Sequence, residues 1–406
     1  MCSPSIRTSP SPASSSGMRA ADPAARAVPT GDTLGVVPKA RLVSLDVFRG
    51  LTVAAMVLVN NPGTWRAVYA PLRHADWHGW TPTDLIFPFF LFIVGVEIPL
   101  GLGRRLETGE GRGPIVTRIV QRAVIIFALG LTLHAVSNFD PATIRISGVL
   151  QRIAACYLVA ALLFVGTGWR LQAGLAGAAL VGYWAALTLV PVPGFGAGDL
   201  GKEGNLAAWL DRALLGPHIW RLGRVYDPEG VLSTVPAVAT TLLGVLTGHW
   251  IRGGRAPAVT ARGLLVVGGT GIGIGLCWDR WFPINKALWS SSYAVFTAGA
   301  ALVALAACYW LVEIKGSRWW TPPFVVLGVN ALAVFFLSTL LSLLLLRIRI
   351  PAGDGRLRPL QAALFEALFA PWAPAAAASL AWALANVLLW LLVMWPLFRK
   401  GIRLGV

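Results

Sequence analysis

The sequence predicts an all-α protein, a polytopic integral membrane helix bundle with about ten transmembrane helices. Of its 406 residues, 56% are hydrophobic and only 13% are charged, and the mean hydropathy is +0.67. Soluble globular proteins are less apolar and carry charge at about a quarter of their positions. The excess of apolar side chains therefore faces lipid.

The first 40 residues differ from the rest of the chain. They are rich in Ser, Pro, Ala and Arg and contain no apolar run. Such a segment cannot bury enough surface to fold, and it lacks the hydrophobic middle of a signal peptide. We predict a disordered cytoplasmic tail over residues 1–40 and a single transmembrane domain over residues 41–406.

Apolar stretches long enough to cross a bilayer define the predicted helices. The predicted spans are 45–61, 84–103, 118–136, 148–168, 172–190, 234–251, 262–277, 293–312, 323–346 and 377–397. The Gly-rich stretch GGTGIGIG at 268–275 lies inside the seventh span. Close helix packing explains it better than a phosphate-binding loop, which would follow a strand.

Basic residues predict the orientation. Ten spans place both termini on one side of the membrane, and that side receives 20 of the 34 Lys and Arg residues while the other receives 14. The excess lies in short loops, as expected for cytoplasmic loops beside anionic lipid. We therefore predict cytoplasmic termini, with membrane lipid and no nucleic acid as partner. The predicted outer loops are 62–83, 137–147, 191–233, 278–292 and 347–376.

The four cysteines predict neither disulfides nor a metal site. Cys2, Cys156, Cys277 and Cys308 include no close pair and no CxxC motif. Paired or clustered cysteines would be needed for a disulfide framework or for structural zinc.

The first outer loop contains candidates for proton transfer. His74 lies in PLRHADWHGW, and a histidine titrates near neutrality, so it could accept a proton from an amine or carry an acyl group. A solvated loop histidine is the plain alternative. His78, four residues further on, is a rival for the same role.

Two polar residues flank this loop. Asp84 follows TPT, so it could stabilise the start of the second helix, with Thr81 or Thr83 as the cap, or it could orient His74. Asn60 ends the first span and could start a turn before Pro-Gly or donate a hydrogen bond to an oxyanion.

Charged residues also occur inside the predicted spans. Asp46 and Arg49 are one turn apart, and an ion pair within the helix or at a helix interface is the favoured interpretation. Glu97 lies well inside the second span, where a carboxylate is costly and faces a cavity or a partner. It is either neutral or paired with a nearby arginine.

Two further outer loops combine carboxylates or amides with aromatic rings, as in VYDPEG and INKALW. Polar groups bind sugar hydroxyls, and flat rings cover the apolar face of a sugar. The predicted carbohydrate-binding residues are Asp227, Glu229, Asn285, Lys286 and Trp289.

Several segments between residues 41 and 336 together resemble the heparan-alpha-glucosaminide N-acetyltransferase family, including its bacterial members. They are RLVSLDVFRGLTVAAMVLVN, HADWHGWTPTDLIFPFFLFIVG, SGVLQRIAACYLVA, YDPEGVLSTVPAVATTLLGVLTG, NKALWSSSYAVFTAG and TPPFVVLGVNALAVFF. The family's His-Ala-x-Trp-x-Gly motif falls on His74, and its functional Asn falls on Asn60. The resemblance implies that His74 is catalytic and that Asn60 acts with it, and the position of Asp84 at the start of the next helix makes it the second supporting candidate.

The resemblance also implies a reaction. The family transfers an acetyl group from cytosolic acetyl-CoA to the amino group of a terminal glucosamine across the membrane. Residues 41–406 would then be a transmembrane acyltransferase domain in a bacterial inner membrane, with an amino sugar or glycan as acceptor and no metal. By charge type, Arg118, Arg122 and Arg152 are the candidates for the phosphates of acetyl-CoA. The oligomeric state stays open, a homodimer being one option.

Two other classes of function fit the same composition. A carrier for a sugar or acyl-sugar would also place charged residues inside the membrane, although no inverted repeat is visible between the halves. A binding or assembly protein of the cell envelope would show no turnover. Consumption of acetyl-CoA in the presence of amino sugars separates these classes.

Overall fold

The computed structural model of the protein describes residues 42–351 and 356–404. The tail predicted over residues 1–40 lies outside this range. The described helices and strands are α1 Val43–Asn60, α2 Ile86–Glu107, α3 Arg112–Ser137, α4 Val149–Gly166, α5 Trp169–Leu189, α6 Leu206–Leu215, α7 Thr234–Arg252, α8 Pro257–Trp278, α9 Ser291–Tyr309, α10 Pro322–Val329, α11 Ala331–Arg347, β1 Arg349–Pro351, β2 Leu357–Pro359, α12 Leu360–Leu368 and α13 Ala375–Arg399.

The predicted all-α membrane bundle is confirmed. Within the described residues, nine helices are long and apolar enough to cross a membrane, and the α10–α11 pair raises the number to ten if it counts as one span. The described strands are a short antiparallel pair between α11 and α12. Nine of the ten predicted spans coincide with single helices, and the tenth coincides with the α10–α11 pair, so the protein is a multi-pass membrane protein.

One predicted span differs from the structure. Residues 323–346 were expected to form one helix, but the chain bends by 80° between α10 and α11. The bend lies at Asn330, which is 1% exposed, and its side-chain Oδ1 accepts a hydrogen bond from the Leu404 N–H at 2.8 Å. Broken helices occur at membrane depth where neighbouring protein satisfies the freed backbone.

The helices form an inner group and an outer group. Each helix is compared over its most apolar 18-residue stretch. In α1, α2, α4, α7 and α9, 56–61% of this stretch is buried inside the protein, whereas in α3, α5 and α8 only 28% is buried. A helix that is apolar on all sides but buried on only one exposes the remainder to lipid. The outer group therefore forms the lipid-facing side of the bundle.

Glycines allow α8 and α9 to pack closely. A Cβ atom at Gly275 would lie 2.6 Å from the Phe296 side chain, and one at Gly268 would lie 2.9 Å from the Gly299 carbonyl oxygen. Only glycine permits such an approach of two backbones. The prediction that the Gly-rich stretch serves helix packing is confirmed.

Loops from distant parts of the chain meet at the face of the bundle where α1 ends and α2 begins, which we call the histidine face. The Gly79 N–H in the first loop donates to the Ile284 carbonyl at 2.7 Å, and Trp77 Nε1 donates to the Leu200 carbonyl at 2.9 Å. These bonds hold the loops that follow α1, α5 and α8 against one another. The face at the other end of the bundle is called the opposite face.

Candidate active site

His74 and Asp84 form a hydrogen-bonded pair on the histidine face. His74 Nδ1 lies 2.6 Å from Asp84 Oδ1. The Asp84 side chain is 1% exposed, whereas the His74 side chain is 46% exposed. A fixed carboxylate therefore holds an imidazole that remains open to molecules outside the protein.

The local sequence explains why Asp84 is fixed. Residues Pro82–Leu85 form a 3₁₀ turn that leads into α2, with Thr81 at the N-cap and the proline in the first turn. The second carboxylate oxygen, Oδ2, accepts hydrogen bonds from the backbone N–H groups of Thr81 and Ala75, each at 3.0 Å. Both interpretations of Asp84 thus hold, because one oxygen stabilises the helix start while the other contacts His74.

This arrangement selects one tautomer of His74. An ionised carboxylate accepts hydrogen bonds and cannot donate them, so Nδ1 of His74 carries the hydrogen that Asp84 accepts. The lone pair of the neutral ring is then on Nε2. A histidine held in this way can remove a proton from a group that approaches Nε2.

Lys286 joins the pair from the loop between α8 and α9. Its Nζ lies 3.0 Å from His74 Nδ1, 3.1 Å from His74 Nε2 and 3.6 Å from Asp84 Oδ1. Lys286 is one of the residues predicted from the sequence to bind carbohydrate. The structure brings it to the candidate catalytic residues, and we call the three residues together the His74 cluster.

The rival histidine lies outside this cluster. His78 Nδ1 lies 3.4 Å from Asn285 Nδ2, and no other side-chain hydrogen bond of His78 occurs among the described residues. Burial lowers the pKa of His78, and the charge of Asp279 opposes this shift without cancelling it. Asn285 is fully buried, and its Oδ1 accepts the Leu288 N–H at 2.8 Å, so it shapes its own loop.

Asp227 and Glu229 belong to a buried ionic group centred on Arg145. Arg145 Nη2 lies 2.5 Å from Asp227 Oδ1 and 2.6 Å from Glu229 Oε2. Asp227 also accepts from Ser147 Oγ and the Trp220 N–H and is 2% exposed. Burial disfavours the charged carboxylate, but the hydrogen bonds and charge of Arg145 outweigh it and lower the pKa of Asp227. These contacts already occupy the buried carboxylate, so Asp227 stabilises the loop rather than binding a sugar.

A third carboxylate beside this group has a raised pKa, in contrast to Asp227. Asp211 in α6 is 1% exposed, and its Oδ1 accepts the Val231 N–H at 2.9 Å. Burial raises the pKa of Asp211 to about 6, and the charge of Asp227 adds to this effect. Neutral Asp211 is thus the favoured form in mildly acidic medium.

Two further predicted site residues are buried. Trp289 is 1% exposed, with its Nε1 donating to Thr240 Oγ1 at 3.1 Å, so its ring cannot stack on a sugar. Arg152 is 2% exposed, lies over the Trp289 ring at 5.2 Å and donates to the Gly230 carbonyl at 3.1 Å. This burial gives a phosphate no access to Arg152, which instead links α4 to the loops of the histidine face.

Asn60 and Arg118 are both exposed. Asn60 is the last residue of α1, and its side chain makes no hydrogen bond among the described residues. The structure therefore does not join Asn60 to His74. Arg118 pairs with Glu110 near the start of α3, at the opposite face.

Arg122 lines a cleft between the middle of the bundle and the opposite face, and the wall of this cleft is mostly apolar with a few polar side chains. The cleft measures about 610 Å³ out to its open mouth. The buried Nε of Arg122 and Nδ2 of Asn330 have no hydrogen-bond partner in the described part of the chain. These free donors suit a polar or anionic ligand. The polar lining consists of Arg49, Glu97, Arg122, Tyr157 and Asn330.

Arg49, a charged residue inside α1, forms ion pairs at this cleft. Arg49 Nη2 lies 2.7 Å from Asp46 Oδ1, which confirms the predicted ion pair within α1. Arg49 Nη1 also bonds Glu97, and its Nε bonds the Gly328 carbonyl. Glu97 thus has the arginine partner considered from the sequence.

Sequence reasoning missed Arg145 as a central residue. The available signal was a basic side chain within the mostly apolar stretch ATIRISG, just before a membrane span. Its two carboxylate partners lie 82 and 84 residues further along the chain, so no local pattern identifies them. Among the described residues, no group of His, Cys, Asp and Glu side chains could hold a metal ion.

Comparisons with known proteins agree with the motifs. The family profile described as "Heparan-alpha-glucosaminide N-acetyltransferase, catalytic" matches residues 41–211. The human heparan-alpha-glucosaminide N-acetyltransferase is 30% identical over 354 residues, which cover 73% of this chain and 52% of the human protein. The mouse protein of that name is 30% identical over 352 residues, covering 73% of this chain and 53% of its own length.

The chain spans about half the length of the curated relatives that it matches. The profile match includes α1 to α5 and the first part of α6, and therefore both His74 and Asp84. The alignments to the human and mouse proteins extend over a longer part of the chain. The protein belongs to the heparan-alpha-glucosaminide N-acetyltransferase family.

Proposed function

We propose that the protein transfers an acetyl group from acetyl-CoA to the amino group of a glucosamine-type sugar. The observation that carries the proposal is the His74–Asp84 pair, which leaves the Nε2 lone pair of an accessible histidine free to act as a base. The family membership supports the same chemistry. No feature of the described residues favours a carrier without chemistry.

The pair has one clear task in this reaction. At neutral pH the acceptor amine is mostly protonated, so it must lose a proton before its nitrogen attacks the carbonyl carbon of the thioester. His74 Nε2 accepts this proton, and Asp84 stabilises the resulting imidazolium. The new C–N bond forms, the C–S bond breaks, and the thiolate of CoA takes up a proton. In the alternative order, His74 itself carries the acetyl group between donor and acceptor.

The acceptor is proposed to bind on the histidine face beside the His74 cluster. Trp80 is 43% exposed and packs on Phe296, with the two rings 4.8 Å apart. It can cover the apolar side of a sugar ring, the role predicted for Trp289. The side-chain amide of Asn60, which has no partner in the described residues, remains the proposed donor to the oxyanion.

The donor is proposed to enter from the opposite face. Arg118 is exposed there, and Arg122 lies deeper along α3 with a free buried Nε in the cleft. Guanidinium groups bind phosphates well, and the polar side chains of the otherwise apolar cleft could bind the amides of the pantetheine arm. The two arginines would hold the nucleotide end of acetyl-CoA while its thioester reaches toward His74.

Purified protein is therefore expected to release CoA from acetyl-CoA when an amino sugar is present. The assay uses glucosamine, galactosamine and glucosamine-terminated oligosaccharides, with free CoA and the acetylated sugar quantified by mass spectrometry. N-acetylglucosamine is the matched control, because its amine is already blocked. No turnover with any acceptor, together with sugar uptake into proteoliposomes without acetyl-CoA, would favour the carrier.

We further propose that the protein lies in a bacterial inner membrane with both termini in the cytoplasm and the histidine face outside. The basis is the concentration of Arg in the short loops of the opposite face. In a cysteine-free background, Asp76→Cys should react with an impermeant thiol reagent in intact cells. Thr108→Cys, in an opposite-face loop, should react only after permeabilisation. The reverse labelling pattern would invert the topology.

A further inference from the structure

Lys286 contacts His74 in a way that an ordinary hydrogen bond does not explain. Its Nζ is nearly equidistant from the two ring nitrogens, at 3.0 Å from Nδ1 and 3.1 Å from Nε2. The two nitrogens flank Cε1, so an ammonium in the ring plane at these distances would collide with that carbon. Nζ therefore lies off the plane, against the face of the imidazole.

The loop that carries Lys286 is held rigidly. Asn285 is fully buried, and the Ile284 N–H donates to Asp279 Oδ1 at 2.6 Å. Trp289 closes the turn with its N–H on the Lys286 carbonyl at 3.1 Å and a φ of 50°, a backbone region that bulky residues rarely adopt. A strained, buried turn of this kind persists when the surrounding structure fixes it. The position of Lys286 over His74 is thus part of the fold.

A positive charge at this position acts on the protonation of His74. An ammonium over the face of a neutral imidazole is attracted to the ring, whereas an imidazolium in the same place is repelled as a like charge. Asp84 acts in the opposite sense, because its carboxylate attracts an imidazolium. The two neighbours therefore oppose each other, and each is fixed by its own loop.

We infer that Lys286 is a positioning residue that keeps His74 unprotonated and so extends the base form of the site to lower pH. This role rests on the proposed function. It takes the place of the sugar binding that the sequence predicted for Lys286. An acyltransferase on an outer membrane face meets medium whose pH the cell does not control. A base that protonates too easily would stop the reaction in mildly acidic medium.

The other charges around the cluster are compatible with this role. Burial lowers the pKa of Lys286, and the carboxylates of Asp84 and Glu229 oppose this shift without cancelling it. The lysine thus loses its charge earlier than a solvated lysine would as pH rises. Lowering the pH favours the charged ammonium form of Lys286. The remaining charged neighbours on the His74 loop are the exposed residues Arg73 and Asp76.

The direct test measures the protonation of His74 without turnover. Diethyl pyrocarbonate reacts with unprotonated imidazole, and the exposed His74 side chain is open to it. The rate of His74 modification, read by peptide mass spectrometry, gives a midpoint on the pH scale. Lys286→Met should raise this midpoint by about one pH unit, a tenfold change in the protonation equilibrium.

Several controls make the result specific. Lys286→Arg keeps the charge and should keep the midpoint near the wild-type value, and Lys286→Gln serves as a second neutral variant in case Lys286→Met does not fold. His78 is an internal control, since its modification should follow the same pH curve in all variants. Lys202→Met removes a different lysine of the histidine face, one that lies over the Trp77 ring, and should change nothing.

Turnover provides the second readout. The acidic limb of the kcat/KM profile should move upward by the same amount in Lys286→Met, while the KM for the sugar changes little. An unchanged or lowered His74 midpoint in both neutral variants would overturn the inference and leave the proposed function standing. A raised midpoint without acetyl transfer in any protein would overturn the proposed function and leave the inference standing.

Discussion

The His74→Ala variant is expected to lose about 10²- to 10⁴-fold in kcat, the usual contribution of a general base. The reason is that an amine protonated at neutral pH has no other positioned acceptor for its proton once Nε2 is gone. Binding of acetyl-CoA should be unaffected, since the proposed donor site lies toward the opposite face. Initial rates at saturating donor and acceptor, with the donor Kd measured separately, test this expectation.

His78→Ala is the matched control for the same loop. His78 contacts Asn285 and lies outside the His74 cluster, so its removal should cost little turnover. Partial recovery of His74→Ala by added imidazole would support the role as a base. If His78→Ala were inactive and His74→Ala near normal, the catalytic role would pass to His78, and normal turnover in both would end the histidine mechanism.

Asp84→Asn is expected to reduce kcat by about 10²- to 10⁴-fold although the histidine is still present. The amide can turn its NH₂ group toward Nδ1 and donate to it. His74 would then carry its hydrogen on Nε2, the nitrogen that must accept the substrate proton. The KM for acetyl-CoA should stay near the wild-type value, because Asp84 lies far from the proposed donor cleft.

Asp279→Asn is the control for this variant. Asp279 is a carboxylate of the neighbouring loop that accepts a backbone N–H, that of Ile284 at 2.6 Å, without contacting His74. The Asp279→Asn variant should keep most of the wild-type turnover. The thermal midpoints of both variants should be compared with that of the wild-type protein. Normal kcat in a folded Asp84→Asn protein would show that the carboxylate only stabilises the start of α2.

The sequence was sufficient for features whose cause is local. Helices in lipid require about twenty apolar residues, so hydropathy located every span. His74 and Asp84 are only ten residues apart, and Asp84 was considered from the sequence both as a residue of the helix start and as the partner that orients His74. The 80° bend at Asn330 could not be predicted in this way, because the residues on both sides of it are apolar.

Features that depend on contacts between residues far apart in the chain could not be predicted from the sequence. Lys286 and His74 are 212 residues apart, and only the docking of two loops brings them together. Trp289 was placed in a sugar site on composition, but the turn before α9 directs its ring into the core, against Arg152 and Tyr293. Burial of this kind is decided by tertiary packing, which a loop sequence does not specify.

The stability of the fold depends on pH through the buried carboxyl group of Asp211. Its carboxyl has a pKa near 4 in an unfolded chain and about 6 in the folded protein, so between these values the folded state alone holds the proton. Its contribution to stability is therefore complete below the unfolded value and is lost as pH rises through about 6. Mild acidification therefore strengthens the support that Asp211 gives to the loops beside the candidate site, and these loops should not be the first part of the protein to unfold in mild acid.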